Sequence, residues 1–237
     1  MATETAVREK DEILDGLLAD LDRLPPVVPP EDGGEGDPFP SREPESRPLI
    51  DNARLGMLIF LGAETMFFAA LVAAFMILRL GAQVWPPPFQ PRLPVGVTGV
   101  NTLILLASSL TMTRALRANR RGDRDGLVAG LGQTALLGVI FLAVQGYEWA
   151  RLVHFGLTVS SGAYGTTFYT VIGAHGVHVL AALIWLSVVL VGVRWGRSHA
   201  AGAGIRPQHR VAVSLCGMYW YFVVFLWPVL YTLVYLR

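Results

Sequence analysis

The sequence predicts an all-α integral membrane protein of five transmembrane helices, preceded by an extended N-terminal tail. Three observations lead there. The chain of 237 residues is 53% hydrophobic and only 16% charged, with a mean hydropathy of +0.47, a balance outside that of an ordinary soluble domain. Its apolar residues gather into five runs, about 55–78, 95–113, 127–150, 166–193 and 211–236, each able as a helix to cross a hydrocarbon core of about 30 Å. Only two charged residues, Glu64 and Glu148, interrupt those runs.

Residues 1–50 differ in kind from the rest. They hold 13 of the 18 acids against five bases, a net −8. Their start lacks a basic segment followed by an apolar one, so it does not read as a secretory signal. Over about 9–24, Ile13, Leu14, Leu17, Leu18, Leu21 and Leu24 recur at three- and four-residue steps, the spacing of one helical face. The opposite face is acidic, which disfavours an anionic lipid surface and favours a solvated helix or one that docks another subunit. Residues 25–50, dense in Pro, Gly and acid, read as an extended tether with no core of its own.

The first span, Leu55 to Leu78, carries Glu64 near its middle. A carboxyl at that depth costs on the order of 3 kcal/mol and needs a partner, a proton or water. It either ties helices together or serves proton, ion or lipid chemistry. A Pro-rich loop beginning at Trp85 follows, with the Trp suited to the membrane interface. The second span contains Gly99, Ala107, Ser108 and Ser109, small residues that let a neighbouring helix approach. The next loop, Arg114 to Gly126, supplies five arginines. The third span brings Gln145 and Glu148 toward its far end, the fourth His175 and His178, and the fifth a run of aromatics from Tyr219 to Tyr235. Cys216, the one cysteine, reads as a buried core thiol, since no second thiol exists for a disulfide.

Beyond the tail the chain has five acids against 14 arginines, a net +9. These arginines sit at the ends of apolar runs rather than on a basic face, so nothing points to nucleic acid. The segment before the first span and the two arginine-rich loops fall on one side. The positive-inside rule then places the N-terminus in the cytoplasm and the C-terminus outside. No internal repeat matches the spans as inverted halves, which argues against a secondary transporter.

Glu64 and Glu148, as intramembrane carboxylates, are expected to face protein rather than lipid. His175 and His178, three apart, share a helix face. The expected roles are interhelical polar contacts for Gln145, Glu148, His175 and His178, with one of the histidines donating to Glu148 or to a helix carbonyl. A di-iron bundle requires Glu-x-x-His motifs that this sequence lacks, and neither a haem nor a zinc ligand set can be assembled by spacing. No metal site and no catalytic residue is expected within the chain.

From about Leu55 onward the sequence resembles subunit III of haem–copper respiratory oxidases, in the short form lacking the first two of seven helices. LGMLIFLGAETMFF resembles the segment around that family's intramembrane Glu. WPPP, NTLILLASSLTM, QGYEW and YGTTFYTVIGAHGVHVL resemble the following segments in order. One departure stands out: where the family's last helix reads Tyr-Trp-His-Phe-Val-Asp, this chain has Tyr221 and Val224 in place of the His and Asp.

The resemblance implies a non-catalytic subunit of a cytochrome c oxidase, reducing oxygen to water with proton pumping. Such a subunit stabilises subunit I, with subunit II also a partner, and holds phospholipid beside Glu64 as the residue of the proton and lipid cleft. Haem and copper are then expected in partner subunits, none in this chain, and the location is a bacterial inner (plasma) membrane. Alternative readings are an accessory subunit of a quinol oxidase or nitric oxide reductase, or a stand-alone proton-coupled transporter.

Overall fold

The structure, a computed structural model, describes residues 51–87, 93–195 and 207–236; the expected tail helix and tether lie outside the described residues. Five long helices account for nearly all of it: α1 Asn52–Gly81, α2 Val95–Arg121, α3 Arg124–His154, α4 Gly162–Trp195 and α5 Pro207–Tyr231, the last continued by a π-helical turn, Thr232–Leu236. All five are long and apolar enough to span a membrane, so the chain is a multi-pass membrane protein.

The helices run past the apolar segments that announce them. The five-arginine loop expected after the second span is mostly helix, because Arg, Ala and Leu propagate a helix well and α2 stops only at Gly122. That residue is left-handed (φ 75°). Its N–H reaches Asn119 O, and the N–H of Asp123 reaches Ala118 O, a Schellman close that glycine permits. Asp123 then caps α3 by accepting from the Gly126 N–H at 2.9 Å, so the connection is only two residues long.

Helices α2 to α5 pack in a ring in which each touches the next and α5 returns to α2, while α1 lies outside against α4 and α5. Only 11% of α1's most apolar window is buried, against 50% for α5. That contrast makes α1 the lipid- or partner-facing helix. Lipid offers apolar side chains as good an environment as protein does, so close packing and hydrogen bonds decide these contacts. Helix α2 approaches α3 down to the backbone, where an added Cβ at Gly130 would come within 2.9 Å of the Ala115 backbone and the Thr111 and Thr134 hydroxyls bond one turn away at 2.7 Å. Of the small residues expected to make such contacts, Ser108 and Gly99 do so against α5, whereas Ala107 faces outward.

The aromatic run of α5 forms the second seam. Trp220 Nε1 donates to Ser108 Oγ at 3.1 Å and Trp227 Nε1 to Thr102 Oγ1 at 2.9 Å. Both rings are buried, so each pairs large contact area with a satisfied polar handle. Tyr221, at the position where the family's His was expected, bonds Thr113 Oγ1 through its hydroxyl at 2.6 Å. Val224 and Cys216 are buried in the core.

Candidate functional site

Glu64 lies 12 residues into α1, about 18 Å along it, and His178 lies at the middle of α4. The two helices pack together, and the two side chains meet, with His178 Nε2 2.9 Å from Glu64 Oε2. Both side chains keep just under a fifth of their surface exposed. Phe68 stands edge-on to the imidazole at 5.0 Å and Phe67 lies tilted at 6.0 Å. The pair is therefore walled by aromatic rings.

The other ring nitrogen fixes what the pair can do. His178 Nδ1 lies 2.7 Å from Ala174 O, and a carbonyl oxygen only accepts, so Nδ1 carries a hydrogen. The short Nε2–Oε2 contact then needs one further proton between two atoms that otherwise both accept. That proton sits either on the carboxyl, facing a neutral imidazole, or on the imidazole, facing a carboxylate. The backbone of α4 thus sets the tautomer, and the pair holds a single exchangeable proton near mid-span.

The remaining expected site residues do not join this pair. Gln145 donates from Nε2 to the Tyr235 hydroxyl at 3.1 Å, linking α3 to the end of α5. Glu148 is buried and takes its partner from its own helix, Arg151 Nη1 at 3.3 Å, rather than from a histidine. A one-turn step along α3 brings a snorkelling arginine back over the carboxylate more readily than α4 can supply an imidazole. His175 does not bond to Glu64 or His178, although both histidines pack against Phe68. It stacks on Trp227 at 5.0 Å, and neither of its buried ring nitrogens has a hydrogen-bond partner. Among the described residues no group of three or more His, Cys, Asp or Glu side chains is placed to hold a metal.

Comparison with known proteins follows the same lines. The sequence model of the family described as "Cytochrome c oxidase subunit III" matches residues 45–237. The chain is 38% identical over 186 residues to "Cytochrome c oxidase subunit 3" of Synechocystis, covering 78% of this chain and 76% of that protein. It is 35% identical over 186 residues to the protein of the same description from Bacillus subtilis, covering 78% and 86%. With that of Neurospora crassa it shares 36% over 188 residues, covering 76% and 66%.

Proposed function

The chain belongs to the cytochrome c oxidase subunit III family, and from that membership we propose that it serves as subunit III of a haem–copper terminal oxidase that reduces oxygen to water in aerobic respiration. It carries no redox centre of its own in this reading. Haem and copper belong to the partner subunits, and the chain packs on subunit I, with subunit II in the same complex. The bacterial relatives favour a location in a bacterial plasma membrane. The arginine-rich end of the bundle, holding Arg54, Arg114, Arg117, Arg120, Arg121 and Arg210, then faces the cytoplasm.

One observation carries the specific role: the bonded Glu64–His178 pair at mid-span. An ionisable pair there is costly and is retained where it serves transport or proton chemistry. With its outer side left open along α1, the pair holds a proton beside lipid, against the catalytic subunit. In this reading Glu64 and its lipid-lined surroundings sustain proton supply to the oxidase. Gln145, bonded to Tyr235, and His175, stacked on Trp227, hold the helices that frame the pair, Glu148 is paired within α3 by Arg151, and the acidic residues 1–50 dock a further subunit.

The test is made on the whole oxidase purified from its own membrane. Haem and copper should co-purify with the chain, and a haem-free isolated protein would defeat the assignment. Glu64→Gln keeps a donor for His178 Nε2 but removes the acid. Assembly should survive while sustained turnover falls or the working life of the enzyme shortens. Normal turnover and lifetime in that variant would refute the proton role. Deleting residues 1–50 should leave the bundle intact and loosen one partner.

A further inference from the structure

A pocket of about 310 Å³ lies at the arginine-rich end of the bundle. Arg54 of α1, Arg120 of α2 and Arg210 of α5 line it together, with Asp51 as its one acid and Val211 and Leu215 on its apolar side. The three arginines are exposed. Among the described residues none of their guanidinium groups has a hydrogen bond or an ion pair, and the Asp51 side chain does not cap α1. Three arginines against one aspartate leave the wall at a net +2. Arg54 stands ten residues, about 15 Å, along α1 from Glu64, so the pocket is separate from the Glu64–His178 pair.

A charge bias that orients a chain in the membrane needs arginines only somewhere at this end. These three reach one wall from three different helices, and like charges so placed repel. Two of them also oppose a helix dipole. Arg54 is the third residue of α1 and Arg210 the fourth of α5, and neither first turn holds an acid, although a helix N-terminus carries partial positive charge and favours anions. Asn119 Nδ2 donates to Arg210 O at 3.1 Å and ties this end of α5 to α2. A bound anion relieves the repulsion and the dipole conflict together.

Depth and the apolar side define the rest of the ligand. The membrane-crossing helices that line the pocket are 30, 27 and 30 residues long, about 40–45 Å against a hydrocarbon core of about 30 Å. Their last turns therefore lie at the level of lipid phosphates. Helix α5 packs on both α1 and α2, which have little contact with each other, so the pocket is the mouth of a groove floored by α5. Tyr221 bonds Thr113 of α2, and Phe222 meets Phe68 of α1. At 3.6 residues per turn, positions 225, 218, 214 and 211 point between those two directions. Phe225 and Val211, at the two ends of that line, are 58% and 38% exposed. We propose that the groove holds one anionic phospholipid, its phosphate between Arg54, Arg120 and Arg210 and an acyl chain along Val211, Met218 and Phe225. Basic pockets between membrane helices recur as sites for such headgroups. The Asp51 carboxylate accepts from headgroup hydroxyls.

The full chain, purified from its own membrane with the subunits that accompany it, is placed in phosphatidylcholine nanodiscs. It is titrated with a phosphatidylglycerol carrying a diazirine on its acyl chain, and labelled peptides are mapped. Labelling should saturate on residues 211–225 and be displaced by unlabelled phosphatidylglycerol, not by inorganic phosphate. Arg54→Gln, Arg120→Gln and Arg210→Gln should each raise the half-saturating concentration about fivefold, and Arg210→Lys, which keeps the charge, should recover most of the loss. Arg114→Gln, at the same end but lining a different pocket, should change nothing. All four positions are exposed, so the variants fold. Equal labelling by a phosphatidylcholine probe would overturn the proposal, since it would mark lipid without a site. So would displacement by inorganic phosphate, which would make the occupant a free anion. A loss in Arg114→Gln as large as in the other three, or labelling unchanged in all, would do the same.

Discussion

Gly130→Ala tests whether the α2–α3 seam depends on the missing side chain. The new Cβ would lie 2.8 Å from Ala115 Cβ and 2.9 Å from Ala115 Cα and N. Two of those atoms are backbone, so no rotamer change relieves the clash and the helices must separate. Overpacking of this kind costs about 1–3 kcal/mol. The separation also stretches the Thr111–Thr134 hydroxyl bond one turn away, worth about 0.6 kcal/mol in a membrane bundle. Alanine returns about 1 kcal/mol of helix propensity. The net effect is about 1–3 kcal/mol of destabilisation. Gly132, two residues along the same helix, supplies the control, since a Cβ there meets nothing within 4 Å. Gly132→Ala should gain up to about 1 kcal/mol, which separates the two variants by about 2–4 kcal/mol in equilibrium unfolding in mixed micelles. Ala115→Gly placed on Gly130→Ala should rescue only in part, because the Ala115 backbone contacts persist. Equal stabilities for the Gly130 and Gly132 variants would refute the reasoning.

Two further outcomes follow from single contacts. Glu64→Gln should leave bundle stability within about 0.5 kcal/mol of the parent, since an amide N–H replaces the shared proton, whereas Glu64→Ala strands the buried edge of His178 and should cost about 1 kcal/mol; the same unfolding assay reads both, and equal costs would show that the bond contributes nothing. Trp227→Phe removes the donor to Thr102 Oγ1 while leaving an aromatic ring against Phe141 and His175. A double-mutant cycle with Thr102→Val should give a coupling of about 0.6–1.7 kcal/mol, and simple additivity would contradict the bond.

The sequence made the architecture readable because the bilayer imposes a length on every apolar run, and five such runs separated by Arg, Pro and Gly leave little choice. Helix ends were harder to place. Residues 114–121 look like a loop by charge, yet the backbone needs only good propagators and a glycine to stop, and Gly122 with Asp123 provides both stop and restart. Seams between helices were half legible. Small residues in α2 marked a close approach, but the contact that governs it is Gly130 against Ala115, and one helix read alone does not reveal which of its small residues faces a neighbour.

For the site, residue types were legible and partners were not. Glu148 and the two histidines were natural partners by proximity in sequence, since their spans are consecutive. Depth, however, separates them: Glu148 lies six residues from the end of α3, whereas His178 and Glu64 both lie near the middle of their helices. Residues on different helices can bond only at matching depth. Counting along each span from its ends would have paired Glu64 with His178 and left Glu148 to a neighbour such as Arg151, which can reach back from the interface. His175, one turn from His178 on α4, stacks on Trp227 and takes no part in that pair.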